Sequence, residues 1–418
     1  EELVLIWLDP RTGKPSARVP HERDLLALKV VFEGIGAEAA AEAGNSSVGA
    51  IDRAIQRGVR QGIVLGPPSL IRRKALNAHY AEEKFEPYLS SSTFVLQWHI
   101  TQACDLHCKH CYDRSDHVPM EPGQGIRVLD QLRGFCKERN VRGKVSFSGG
   151  NPLLYPRFME LYRAAAERGF ETAILGNPTT EMKLDEIMRI QEPDFFQVSL
   201  EGLRGQNDEV RGPGHFDRTL AFLDLLRRKG IYSMVMLTLT RDNMGQVISL
   251  AELLRERVDA FNFNRLAMVG EGASLSLPER GGFMEFLEEY MHAAKESPIM
   301  GLKDNLINII RHKRGVRPFG GCTGFGCGAA FNFIALLSDG EAHACRKFPS
   351  PIGNVYEQGL AGVYDSAAAE GYRAGPKACS GCSIRPVCGG CLAVAHGCGL
   401  DVLKERDPFC FMDELSQA

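Results

Sequence analysis

The sequence predicts an α/β protein in which a parallel sheet curves into a partial barrel. The first observation behind this is an alternation of element types. Candidate strands at 94–100, 145–148, 172–175, 195–200, 233–239 and 260–265 alternate with helical stretches at 125–139, 158–168, 183–190, 216–229, 244–257 and 278–297. Strand–helix repetition implies right-handed crossovers and parallel strands. Six units fall short of the eight that close a full barrel, so a partial (β/α)6 TIM-like barrel, open on one side, is expected over 93–300. The second observation is that residues 1–72 do not follow this pattern and read as a separate small domain. The third is that residues 301–418 break into short Gly- and Cys-rich segments, which hold nine of the thirteen cysteines.

In chain order, Leu3, Leu5 and Trp7 alternate with other residues as a strand does. Asp9 to Lys14 reads as a turn, and 24–32 is helical in composition. Ser47, with Ser46 beside it, is placed to cap a second helix carrying Val48, Ile51, Ile55 and Val59 at spacings of three and four. Gly62 to Gly66 then reads as a short strand, stopped by Pro67 and Pro68. Helix, helix and short strand outline a winged-helix-like domain. A charged connection, 73–92, leads into the barrel. Its helices carry apolar repeats such as Phe216, Leu220 and Leu223, then Val247, Leu250 and Leu254.

Composition removes several function classes. The 418 residues carry 49 Lys and Arg against 52 Asp and Glu, a net charge of −3, which gives no general attraction to nucleic acid or anionic membrane. Residues 1–72 carry nine basic and nine acidic side chains, so this domain lacks the basic excess of a DNA reader. A winged-helix module can instead take up an extended peptide along a sheet edge. No run approaches the ~18 apolar residues of a membrane span. The first residues show no basic and apolar signal pattern, which predicts a reducing, cytoplasmic setting in which clustered cysteines bind metal. Thirteen cysteines, about 3% of the chain, are too sparse for a disulfide scaffold.

The chemistry concentrates at Cys104, Cys108 and Cys111, spaced C-x3-C-x2-C directly after the first barrel strand. In such sheets reactive residues sit at the strand C-terminal ends, which is where this loop falls. Three thiolates on a loop with Asp105, His107, Lys109 and His110 suit a soft metal centre, iron–sulfur or zinc, better than apolar packing. A structural zinc site closes with a fourth ligand. None lies nearby, so a cubane held here would keep one iron open. Cys136, inside a helical stretch, reads as a packed core residue.

These residues, the barrel pattern and the cysteine-rich tail together resemble the radical S-adenosylmethionine (SAM) enzymes of the SPASM group, over about residues 93–411. The resemblance implies a [4Fe–4S] cluster on Cys104, Cys108 and Cys111 whose open iron binds SAM. Reductive cleavage then gives methionine and a 5′-deoxyadenosyl radical that takes hydrogen from substrate. It also implies SAM contacts. Phe147-Ser-Gly-Gly-Asn-Pro stands where the family writes G-G-E-P, so Gly149 and Gly150 allow close backbone approach. Asn151 replaces the acid and keeps only a carbonyl to accept from the SAM amino group. Ser199 resembles a ribose- or carboxylate-contacting serine, and Arg211 resembles the arginine that pairs with the SAM carboxylate. Tyr112 and residues 266–272 are compatible with an adenine contact.

In the tail, Cys322-x4-Cys327, Gly340-x4-Cys345, Cys379-x2-Cys382-x5-Cys388-x2-Cys391 and Cys410 follow the SPASM layout. Taken alone, C-x2-C-x5-C also suits zinc. The resemblance implies three [4Fe–4S] clusters in all. Auxiliary cluster I would use Cys322, Cys327, Cys345 and Cys391, and auxiliary cluster II would use Cys379, Cys382, Cys388 and Cys410. The final spacing is x2 where the family more often has x3, which leaves Cys398 as an alternative to Cys391.

Such enzymes modify ribosomally made peptides or proteins. With its N-terminal domain the chain is expected to be a maturase that binds a precursor peptide there and forms a cross-link or ring, thioether or thiazole/selenazole-like. It would draw electrons from a flavodoxin- or ferredoxin-type donor. The enzymatic alternative is a sulfatase-maturing, formylglycine-forming enzyme. That group places Asp directly after the Gly-x4-Cys cysteine, where this chain has Arg346. The alternative of another class is an iron–sulfur redox-sensing DNA-binding regulator.

Overall fold

The computed structural model describes residues 3–8, 13–20, 22–44, 47–73 and 83–414. The chain begins with an antiparallel hairpin, β1 (Leu5–Leu8) and β2 (Pro15–Arg18), pairing Leu5 with Arg18 and Leu8 with Pro15. Helices α1 (Glu22–Glu33), α2 (Ala37–Ala43) and α3 (Val48–Gln61) follow. As the sequence predicts, the Ser47 hydroxyl caps α3 by accepting from the Ala50 N–H, while Ser46 and most of the 9–14 turn lie outside the described residues. The expected strand at 62–66 does not form. Gly62, at φ +74°, ends α3 in the left-handed conformation, and the only strands of this domain among the described residues precede its helices. Val30, Ala40, Ala41 and Ile51 make a small separate core.

This domain docks on the barrel through α3. A Cβ on Gly49 would lie 2.3 Å from the Gly169 backbone nitrogen, so only glycine permits the approach. Arg53 donates to the Ala166 carbonyl at 2.8 Å, and Asp52 pairs with Arg133 at 3.5 Å.

The barrel runs β3 (Thr93–His99), α4 (Pro122–Glu138), β4 (Arg142–Ser148), α5 (Phe158–Glu167), β5 (Glu171–Leu175), α6 (Glu181–Ile190), β6 (Phe195–Ser199), α7 (Arg204–Arg211), α8 (His215–Lys229), β7 (Ser233–Leu239), α9 (Val247–Leu254), β8 (Ala260–Arg265) and α10 (Arg280–Glu296). Strands β3 to β8 are parallel neighbours in chain order, and all six expected barrel strands are present. Sequence periodicity missed α7, which is too short and polar to show a stripe. The connection before the barrel is tied into it, since Ile71 and Phe85 join the main core and Arg72 bridges to Ser90.

The C-terminal region adds α11 (Ile307–Lys313), β9 (Phe333–Leu336), β10 (Glu341–His343), β11 (Pro351–Asn354), α12 (Val355–Tyr364), α13 (Ala367–Ala374) and α14 (Leu392–Gly397). No strand was expected here. Yet β9 pairs parallel with β3, and β10 and β11 follow antiparallel, giving a nine-stranded sheet ordered β11-β10-β9-β3-β4-β5-β6-β7-β8.

The two faces of this sheet differ. Phe94, Leu96, Trp98, Val145, Phe147, Ile174, Phe196, Val198, Val235, Leu237, Phe261 and Phe263 are all at most 1% exposed. They pack outward against the helices, as Phe147 does on Phe158 and Phe263 on Tyr290. Alternation along each strand puts Gln97, Ser146, Ser148, Gln197, Ser199, Asn262 and Asn264 on the other face. A parallel sheet covered on both sides is apolar on both. The hydroxyls and carboxamides on this inner face mark a polar lumen.

Candidate active site

The loop carrying Cys104, Cys108 and Cys111 is irregular backbone held from three sides. At the end of β4 the Gly150 N–H donates to the Thr101 carbonyl (2.8 Å) and the Asn151 N–H to the Ala103 carbonyl (2.7 Å). A Cβ on Gly149 would meet the Thr101 oxygen at 2.2 Å, and one on Gly150 the Ala103 oxygen at 2.3 Å. These glycines, expected to allow close approach of SAM, are required in any case by the cysteine loop, whose backbone fills the space a Cβ would take. From α7, the Val210 carbonyl accepts from Lys109 N–H (3.0 Å). From the turn after β8, Glu271 N–H donates to the Cys111 carbonyl (2.9 Å), with Gly270 packed on Tyr112. Residues 270–272 therefore buttress the loop.

Cys104 is exposed, while Cys108 and Cys111 are half-buried. Arg211 Nη1 lies 3.5 Å from Cys108 Sγ, and Asn177 Nδ2 lies 3.7 Å from Cys104 Sγ. Burial pushes the Cys108 and Cys111 thiols up, opposed chiefly by Arg211 for the first and Arg114 for the second. Donors converging on thiolate sulfurs suit a cluster, whose charge they offset.

The expected SAM contacts are engaged within the protein. Asn151 is buried; its Oδ1 accepts from Leu153 N–H (3.3 Å) and its Nδ2 donates to Asp105 Oδ1 (3.0 Å). Asn177 Nδ2 also donates to that oxygen, at 2.6 Å. A carboxylate thus stands beside the position where the acid was missed, supplied by the cysteine loop. Ser199 ends β6 on the lumen face. Arg211 pairs with Glu201 Oε1 through Nε (2.9 Å) and Nη2 (2.6 Å), and His110 Nε2 lies 2.8 Å from the same oxygen. Glu201 is fully buried. Burial alone would raise its pKa, but His110 and Arg211, with the Thr238 N–H on Oε2, bring it down to about 2. The Tyr112 ring takes the Arg346 guanidinium at 5.6 Å and the edge of His99 at 6.3 Å. Arg346, next to Cys345, also pairs with Asp113, which accepts from Gln102 Nε2 at 2.7 Å. The barrel loop and the C-terminal cysteines are thereby joined. Neither Glu201 nor Asn177 is singled out by the sequence, and Asp105 stands there only as a polar neighbour of the cysteines; Glu201 lies two residues after Ser199.

Eight of the tail cysteines fall into two groups. Cys322, Cys327, Cys345 and Cys391 line one cavity, with Lys303 and Lys347 in its wall. Cys379, Cys382, Cys388 and Cys410 form the second; burial first, then the latter's three neighbours, push the Cys388 thiol well up. Cys398 is exposed at the end of α14, and the charges acting on it are Asp407 and Arg265, no thiol. Cys391 rather than Cys398 therefore stands with Cys322, Cys327 and Cys345. Cys136 is core, as expected, with burial raising its pKa to about 12. Among the described residues no three Cys, His, Asp or Glu side chains gather closely enough for a single ion. A cubane spreads its cysteines over separate irons, so thiolates around a cavity fit a cluster better than zinc. Arg385, buried near Cys327 and Cys379, keeps two nitrogens without an acceptor, as expected where an anionic group belongs.

Comparison with known proteins agrees. Residues 98–254 match the family model of the Radical SAM superfamily, and 327–391 match the SPASM iron–sulfur cluster-binding domain. The AdoMet-dependent heme synthase of Methanosarcina barkeri is 26% identical over 345 residues, covering 77% of this chain and 97% of that protein. The mycofactocin maturase MftC of Mycolicibacterium smegmatis is 27% identical over 350 residues, covering 78% and 85%. In fold, Streptococcus suis SuiB bound to the precursor peptide SuiA superposes with a TM-score of 0.62 at 18% identity, covering 97% of this chain and 98% of that one. A thiolate tripod at the strand ends, two further cysteine sets and both family matches have one reading: the chain carries a Radical SAM domain and a SPASM iron–sulfur cluster-binding domain.

Proposed function

We propose that this enzyme is a peptide maturase: it cleaves SAM reductively and removes hydrogen from a ribosomally made peptide, forming a cross-link or ring. The observation that carries the reading is the N-terminal domain. Its hairpin leaves one edge of β1 unpaired among the described residues, with Ile6 (70% exposed) and Leu8 (65% exposed) beside it. An unpaired strand edge flanked by apolar side chains is what an extended peptide adds to. Residues 1–72 would then be the recognition domain, 73–92 the connection, 93–300 the barrel and 301–418 the auxiliary-cluster domain. Coverage of SuiB over 97% of the chain supports a shared layout that includes the first domain.

Within the barrel, Cys104, Cys108 and Cys111 would hold the SAM-binding [4Fe–4S] cluster. Cys322, Cys327, Cys345 and Cys391 would hold auxiliary cluster I, and Cys379, Cys382, Cys388 and Cys410 auxiliary cluster II. Cluster and SAM together supply hydrogen-atom abstraction; the chain's residues orient and enclose. Arg211, fixed by Glu201, holds its cation against Cys108. Asn151 and Asn177 hold the Asp105 carboxylate at the loop, and Ser199 offers a hydroxyl from the lumen face. The carboxamides of Gln97, Gln197, Asn262 and Asn264 suit the amide groups of a peptide. A flavodoxin- or ferredoxin-type protein in a reducing cytoplasm would supply electrons.

The heme synthase relatives support a second reading, a tetrapyrrole substrate. Porphyrins of that kind carry several carboxylates and call for cations; Lys303 and Lys347 supply two in the cavity wall, whereas the inner-face residues named above are neutral and suit a peptide. Co-expression with a candidate precursor peptide, read by mass spectrometry, tests the choice. A mass change that depends on Cys104 supports the maturase. An unchanged peptide together with turnover of an iron porphyrin would sink it.

A further inference from the structure

Two buried guanidinium groups lie beside the auxiliary cysteines without a carboxylate partner among the described residues. Arg385 is 2% exposed; its Nη2 donates to the carbonyls of Ala374 (2.6 Å) and Arg373 (3.3 Å), while Nε and Nη1 have no acceptor. Arg73 is 8% exposed and donates only to carbonyls: Arg373 (3.1 Å), Phe325 (2.8 Å) and Cys327 (2.7 Å). Asp304 and Asp407, the carboxylates beside the first cysteine set, are both taken by Arg265, at 2.7 and 2.6 Å. Buried charge without a partner is costly enough that proteins seldom keep it unless something of opposite sign occupies the space.

The position of Arg385 says what that something is. Along the chain it lies between Cys382 and Cys388. A Cβ on Gly389 would touch both Arg385 Nη1 (2.8 Å) and Cys327 Cβ (3.6 Å), which puts the unpartnered side next to the first cysteine set. Its backbone N–H donates to the Cys382 carbonyl at 3.0 Å, and its own carbonyl accepts from the Cys388 N–H at 3.4 Å, both in the second set. Arg385 adjoins both groups of four.

We propose that Arg385 is a cation shared by both auxiliary clusters, its free Nε–H and Nη1–H donating to cluster sulfur, and that it raises the reduction potential of each. This rests on the two-cluster reading above. Reduction adds negative charge to a cluster that is already anionic, and a fixed cation with N–H donors in a dry site favours the reduced state. Two such anions side by side also repel, which a cation adjoining both offsets.

The test is a redox titration of the reconstituted holoenzyme followed by electron paramagnetic resonance, with iron counted in each sample. In R385M the one-electron reduction equilibrium of both auxiliary clusters should fall about tenfold, ~59 mV. The Cys104–Cys108–Cys111 cluster should not move. R385K, which keeps the charge, should stay near wild type in potential and iron content, and this comparison carries the test if R385M loses auxiliary iron. Unmoved auxiliary potentials in R385M at full iron overturn the inference alone, as does an R385K shift equal to that of R385M. Wild-type protein holding only about four irons per chain, in place of roughly 12 for three cubanes, overturns the cluster assignment and the inference with it.

Discussion

The two cysteine regions solve opposite problems. The barrel loop offers three thiolates, one of them exposed, on backbone clamped by β4, α7 and the turn after β8. The tail offers two groups of four, with Cys388 buried and the other seven half-buried, and with cations such as Lys303 and Lys347 in the wall of the first group's cavity. A tripod leaves one coordination position for a reacting molecule, whereas a complete set of four leaves none. Rigidity is built differently too. The barrel loop is held from outside by glycines and an ion pair, while the tail, poor in regular structure, is laced through by its own ligands.

The comparison breaks most sharply at Cys104. Cys104→Ala should abolish conversion of SAM to 5′-deoxyadenosine and lower iron from roughly 12 to about 8 per chain, leaving auxiliary signals intact; turnover surviving in this variant would mean the tripod is not the reacting centre. Next, Cys391→Ala should remove about four irons while Cys398→Ala removes none, and the reverse outcome in iron analysis would exchange their roles. A third prediction concerns the clamp. Glu201→Gln leaves Arg211 buried without its partner and should cost about 3–5 kcal/mol in denaturant unfolding. Because the Glu201 pKa is depressed from 4.5 to about 2, its contribution is full above pH 4.5 and fades as pH falls toward 2. The variant should therefore lose less stability than wild type across that acid range.

Smaller effects are expected in the N-terminal domain. Ile6→Asp should weaken binding of a cognate precursor peptide about tenfold, measured by fluorescence anisotropy, while slow SAM cleavage without peptide continues; equal affinity would remove the recognition role from the β1 edge. Smallest, Ser47→Ala removes the α3 cap and should cost about 1 kcal/mol in the same unfolding assay.

Features written within a short window are legible before folding. Strand–helix alternation set the six parallel strands, spacing set the tripod, and Ser47 marked the start of α3. Even the two groups of tail cysteines followed from spacing together with the family pattern. The remaining features depend on partners distant in sequence. β9 to β11 join the sheet because β9 finds the free side of β3, a pairing no short window contains. Gly149 and Gly150 are required by backbone near Thr101 to Ala103, and Glu201 matters through Arg211 and His110. Cys391 and Cys398 look equivalent as text; folding puts one in the cavity wall and the other in solvent. Burial, which makes an unpaired charge such as Arg385 costly, comes into existence only when the chain folds around it.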